Sequence, residues 1–100
     1  MKAELYLEDE PSFRFKLLDG LTVGREGDVS VSALPGGQYV SRIHATFIKD
    51  GDGWCIRDEG SKNSTFVNSV KVGPGELRRL KPEDLVSLGY MSFIYTETGP

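Results

Sequence analysis

Two residues in this chain carry side chains that commonly do covalent chemistry near neutral pH: its single histidine, His44, and its single cysteine, Cys55. Cys55 stands between Trp54 and Ile56, the setting of a buried, unreactive thiol. No acid is placed to orient His44, so a Cys–His nucleophile pair is not expected. Ser41 lies three positions before His44, but the strained Gly-x-Ser-x-Gly elbow of a serine hydrolase is absent. One His, one Cys and scattered acids give no metal-ligand spacing, so neither metal nor cofactor is expected.

Anion chemistry is better provided for. Gly24-Arg25 follows one apolar run, Ser41-Arg42 precedes another, and Ser61-Lys62-Asn63 lies between two more. A phosphate dianion needs several charge-assisted hydrogen bonds, best supplied by an Arg fork together with hydroxyl and backbone N–H donors. Each segment alone reads as ordinary solvated surface. They make a site only if a scaffold brings the three loops to one end.

The elements between these loops read as strands. Leu5 and Leu7 alternate with Glu4, Tyr6 and Glu8, although the stretch from Met1 to Leu5 also has local helical character. Phe13, Phe15 and Leu17 alternate with Arg14 and Lys16, Leu21 and Val23 flank Thr22, and Trp54 and Ile56 flank Cys55. His44 to Lys49 is apolar on both faces, as a central strand would be. Thr65-Phe66-Val67 and Val70-Lys71-Val72 flank Asn68-Ser69, a hairpin signal. Leu85 to Leu88 and Ser92 to Thr96 complete the series, while Ser30 to Gln38 reads as an irregular loop. No stretch sustains a helical period. About ten short strands predict an all-β antiparallel sandwich or barrel, with function on its loops.

At 100 residues the chain is the size of one domain, here spanning 1–100 with its core from about Ala3 to Thr96. Twelve Lys and Arg against 15 Asp and Glu give a net charge of −3, which disfavours a nucleic-acid surface. No apolar run approaches the ~20 residues of a membrane span, and the N-terminus lacks a signal peptide's apolar centre. An intracellular location, cytoplasmic or nuclear, is therefore expected, and Asn63-Ser64-Thr65 is read as an accidental glycosylation match.

Several segments, taken in order, resemble one family. LTVGRE at 21–26, VSRIHATF at 40–47, GWCIRDEGSKNSTFVN at 53–68, and LVSLG at 85–89 ahead of SFIY are similar to the forkhead-associated (FHA) domains, modules that bind phosphothreonine peptides. The resemblance runs from Leu21 to Tyr95, and Ala3 to Leu18 fits the family's leading strands. It implies a sandwich of two antiparallel sheets with about eleven strands, binding peptide across loops at one end. By position it implies phosphate binding by Arg25, Ser41, Lys62 and the flanking Arg42, and peptide-backbone binding by Asn63. His44 and Asn68 are expected to brace loops, and Gly24 to let the chain turn tightly before Arg25. Selectivity in the family usually rests on the third residue after the phosphothreonine, with Leu34 to Tyr39 and Ser64 the candidate contacts.

Three positions depart from the family pattern: Ser64 after Asn63, Ser69 after Asn68, and Glu83 before Asp84 stand where Gly is usual. If the Ser64 backbone needs positive φ, the serine costs on the order of 1 kcal/mol, and Ser69 likewise replaces the Gly expected in a tight hairpin turn. Arg78, Arg79 and Lys81 read as a solvated edge rather than a second site. The resulting expectation is a non-catalytic, monomeric phosphothreonine reader with no nucleic-acid or membrane partner. The alternatives are a phosphate-independent interaction domain of the same fold and, far behind, a hydrolase using Ser41 and His44.

Overall fold

Alternating apolar residues set the first layer. In β1 (Lys2–Leu7), Ala3, Leu5 and Leu7 are buried and the residues between them face outward, because successive strand side chains point to opposite faces. The helical character of this stretch gives way to its pairing with β11 (Met91–Thr98), which buries Met91, Phe93 and Tyr95 in the same rhythm. The computed structural model describes residues 1–99. Its remaining strands are β2 (Glu10–Lys16), β3 (Leu21–Gly24), β4 (Val29–Ser30), β5 (Ala45–Asp50), β6 (Gly53–Asp58), β7 (Thr65–Val67), β8 (Val70–Val72), β9 (Leu77–Arg79) and β10 (Leu85–Leu88). They form a six-stranded sheet, β2-β1-β11-β10-β7-β8, packed on a five-stranded sheet, β4-β3-β5-β6-β9.

The core lies between the sheets. Phe15 sits edge-on to Phe47 of one sheet and Phe93 of the other, with centroids 6.3 and 6.0 Å away. Phe47, Phe93, Leu5, Ile56 and Tyr95 have no exposed surface. Burying each contributes roughly 1.5–3 kcal/mol, enough to hold a rigid frame under irregular loops.

Some details differ from the sequence reading and others sharpen it. The segment from Ser30 begins with β4, which pairs parallel to β3 where all the other strand pairs are antiparallel, and it includes a single 3-10 turn at Gly37–Tyr39. Strand β5 begins at Ala45 and leaves His44 in the preceding loop. Arg78 and Arg79 lie on edge strand β9, paired with Glu76 and Asp50. The Asn68-Ser69 hairpin has positive φ at both turn residues, 52° and 68°, as a two-residue hairpin requires.

Register decides which loops meet. Leu88 pairs with both Thr65 and Met91, and Leu7 pairs with Phe93. The β1–β2 turn, the segment before β7 and the β10–β11 turn therefore emerge at one end. In the other sheet Val23, Ala45 and Asp58 are aligned, bringing the loops after β3, before β5 and after β6 to that end too. The chain's own ends lie opposite, where Lys2 pairs with Thr98. No helix among the described residues is long and apolar enough to cross a membrane.

Candidate functional site

The loop end is laced together by backbone hydrogen bonds before any side chain takes part. Arg25 N–H donates to Ser41 C=O (3.1 Å), Glu26 N–H to Arg42 C=O (2.9 Å), His44 N–H to Val23 C=O (2.9 Å) and Glu59 N–H to His44 C=O (3.0 Å). Gly24 allows this contact, although not by the tight turn expected of it. Its φ is not positive. A Cβ there would lie 2.1 Å from the Arg42 carbonyl oxygen and 2.7 Å from that of Ser41, so the 41–42 backbone occupies the space of a side chain.

His44, fully buried, is the bolt across the two sheets. Its Nδ1 accepts the Ser41 N–H at 3.1 Å, which fixes the ring proton on Nε2, and Nε2 donates to the Ser64 carbonyl at 2.8 Å. Burial lowers its pKa, with the Ser64 hydrogen bond and the Asp58 charge opposing that shift. Both ring nitrogens are engaged by backbone, and the Ser41 hydroxyl is not bonded to either. That wiring does not make a Ser–His pair. Cys55 lies opposite Ile48, well along β5 from His44, and burial and then Asp50 push its thiol pKa up.

The loop carrying Lys62 and Asn63 is organised by Asp58, a residue that sequence reasoning left out. Buried Asp58 accepts Gly60 N–H, Ser61 N–H, Ser61 Oγ–H and Thr65 Oγ1–H. Burial alone would raise its pKa, but these four hydrogen bonds outweigh it and hold the carboxyl below its ordinary range. The spacing Asp58-x-Gly60-Ser61 was the available signal, an Asx-type turn. Ser64 then takes φ of 71°, aiming its carbonyl at His44 and at the Gly89 N–H (2.9 Å). In the sequence Gly89 stands only as the last residue of LVSLG. At φ 60° it sits where a Cβ would meet the Tyr39 carbonyl at 2.9 Å.

On this frame Arg25, Gln38, Tyr39, Val40, Ser41, Lys62 and Asn63 line an open recess of about 350 Å³. Arg25 Nε donates to Val40 C=O at 2.7 Å, which orients the guanidinium and leaves its terminal nitrogens for a ligand. Lys62 N–H donates to Ser41 Oγ at 3.0 Å. That uses an acceptor site of the hydroxyl and leaves its proton to be donated. Asn63 Nδ2 donates to Tyr39 C=O at 2.8 Å, keeping its amide oxygen available. Neither Arg25 nor Lys62 forms an ion pair among the described residues. Two uncompensated cations, a hydroxyl donor and an amide therefore converge.

Two residues grouped with these by sequence stand apart. Arg42 does not line the recess; it is exposed and faces Glu26 at 3.5 Å. Asn68 lies at the far end of β7, where its side chain donates to Asp84 and accepts the Leu85 N–H, each at 2.9 Å. It braces a loop, but not one of the recess.

The family model for the FHA domain matches residues 21–89, well over half of the chain. The chain belongs to the FHA domain family. Among curated proteins, Protein FraH of Nostoc sp. is 44% identical over 62 residues, which make up 62% of this chain and 22% of FraH. The match thus covers less than a quarter of that relative's length. A structure solved for phosphothreonine-dependent FHA domain interactions superposes over 100% of both chains with a TM-score of 0.84 at 24% identity. The FhaA FHA domain, solved with the intracellular domain of Rv3910, gives a TM-score of 0.78 at 26% identity over 93% of this chain and 98% of its own.

Proposed function

We propose that this FHA domain is a non-catalytic reader of phosphothreonine, binding phosphorylated segments of partner proteins inside the cell as a monomer. The observation that carries the reading is the recess itself. Arg25 and Lys62 are exposed there without a counter-ion among the described residues, in a chain whose net charge is −3. Phosphothreonine-dependent interaction in a structural neighbour supports it. A phosphate at pH 7 brings about −1.5 to −2 charges, matched by the two cations. The Ser41 hydroxyl adds a neutral donor, and the Asn63 amide can hold ligand backbone beside the phosphate. Nucleic acid is disfavoured because the cations form one small pocket rather than a stripe.

The test is a titration with a degenerate phosphothreonine peptide library and its unphosphorylated and phosphoserine counterparts. Phosphate-dependent binding that favours phosphothreonine is expected, since one methyl in a pocket contributes roughly 1–3 kcal/mol. Equal affinity with and without phosphate overturns the reading and leaves a phosphate-independent interaction domain.

A further inference from the structure

Beside the phosphate recess lies a second cleft, of about 390 Å³, which the phosphate reading leaves unused. Leu7, Pro35 and Met91 form its apolar part, Tyr90 one wall, and Glu8, Asp9 and Glu10 its acidic rim. The rim is held in place: Glu8 N–H donates to Ser92 C=O at 2.9 Å, Glu10 pairs with Leu7, and the β1–β2 register shifts between Tyr6 and Leu7. Such irregularities re-aim side chains at sheet ends. None of the three acidic side chains has an ion pair or hydrogen bond among the described residues.

The cleft and the recess share a ridge. Tyr90, 74% exposed, packs edge-on against Tyr39 with centroids 5.1 Å apart, and Tyr39 lines the phosphate recess. A ligand lying across this end therefore meets two cations, then two aromatic rings, then three acids over an apolar floor. We infer that the cleft takes a lysine or arginine from the flank of the same phosphothreonine peptide. The aliphatic stem of such a residue lies along Leu7, Pro35 and Met91, its cationic head reaches Glu8, Asp9 and Glu10, and the Tyr90 ring offers a face to the charge. An extended peptide advances ~3.3 Å per residue, so a short spacer crosses the ridge. This inference rests on the phosphothreonine reading and narrows it to substrates that pair a phosphate with a nearby base.

The experiment walks a lysine, one position at a time, along both flanks of an otherwise neutral phosphothreonine peptide and measures affinity by fluorescence anisotropy. The wild-type domain should bind about three- to tenfold more tightly at one or two adjacent positions, as a few exposed ion pairs would give. In a Glu8→Gln, Asp9→Asn, Glu10→Gln variant the preference should fall below about twofold, while the neutral phosphopeptide keeps its affinity. A Glu8→Lys, Glu10→Lys variant should prefer glutamate at those positions, and circular dichroism verifies that each variant is folded. Phosphate-dependent binding with a flat lysine profile, or a profile unchanged in the variants, overturns the cleft assignment alone. Loss of phosphate dependence overturns the phosphothreonine reading as well.

Discussion

Acidification from pH 7 towards 5 should loosen this domain through His44. His44 is the only histidine. The carboxylates with displaced pKa values, Asp58, Glu59 and Glu76, start from 3.8 or 4.5 and are held lower still, beneath this window. His44 is lowered from 6.5 mainly by burial. Protonation would also turn Nδ1 into a donor facing the Ser41 N–H that it now accepts. The sign follows: near pH 6.5 the unfolded chain takes up a proton that the folded chain refuses. The contribution is therefore fully present above 6.5 and is lost as pH falls towards the folded pKa. One pH unit below 6.5 the loss can reach at most about 1.4 kcal/mol, the free energy of proton uptake by the unfolded chain. Urea unfolding of the wild type and of His44→Gln, which keeps an acceptor and a donor but does not titrate, measures it. The wild type should lose more stability than the variant between about pH 7.5 and 5.5, by up to about 1.4 kcal/mol. Parallel losses would refute the reasoning. So would an imidazole resonance in the wild-type NMR spectrum that titrates above 6.5, a measurement that stands even if the variant does not fold.

Arg25→Ala should reduce phosphopeptide affinity about tenfold to a hundredfold by isothermal titration. Arg42→Ala should change it less than about twofold, since Arg42 faces Glu26 outside the recess. Ser64→Gly should stabilise the fold by about 0.5–1 kcal/mol in urea, because its φ of 71° suits glycine. Any change in peptide affinity in that variant would report the loop's shape. Gly24→Ala should cost more than about 2 kcal/mol and lower the thermal midpoint, because the new Cβ meets the Arg42 carbonyl oxygen.

Much of this was readable from residue order, for a physical reason. Apolar alternation in β1 and β11 is a local signal, and a sandwich exposes it in every strand. Ser64 and Ser69 stand where a turn favours glycine, and both have positive φ, 71° and 68°; Glu83, at 75°, shares a conformation that its neighbours do not announce. Short strands such as β4 and β9 escaped because two or three residues held by a neighbouring strand leave no periodicity. The standing of Arg42 depended on which acid came near it, a matter of tertiary placement. Asp58 illustrates the same limit: its role comes from four donors converging in space, and only part of that was written as Asp-x-Gly-Ser. At Gly24 the space of a side chain is taken by another segment's backbone, which the residues beside it in the chain do not announce.

The pairing of Lys2 with Thr98, at the end of the sandwich away from the recess, has a practical consequence. Lys2 and Thr98 both lie at the base, so the domain behaves as a socket on a double stem. A fluorophore, a surface tether or a second copy joined there points away from the ligand. Tandem copies linked at the base would carry both recesses outward, and avidity for a doubly phosphorylated partner would then be set by linker length rather than by blocking of one socket by the other.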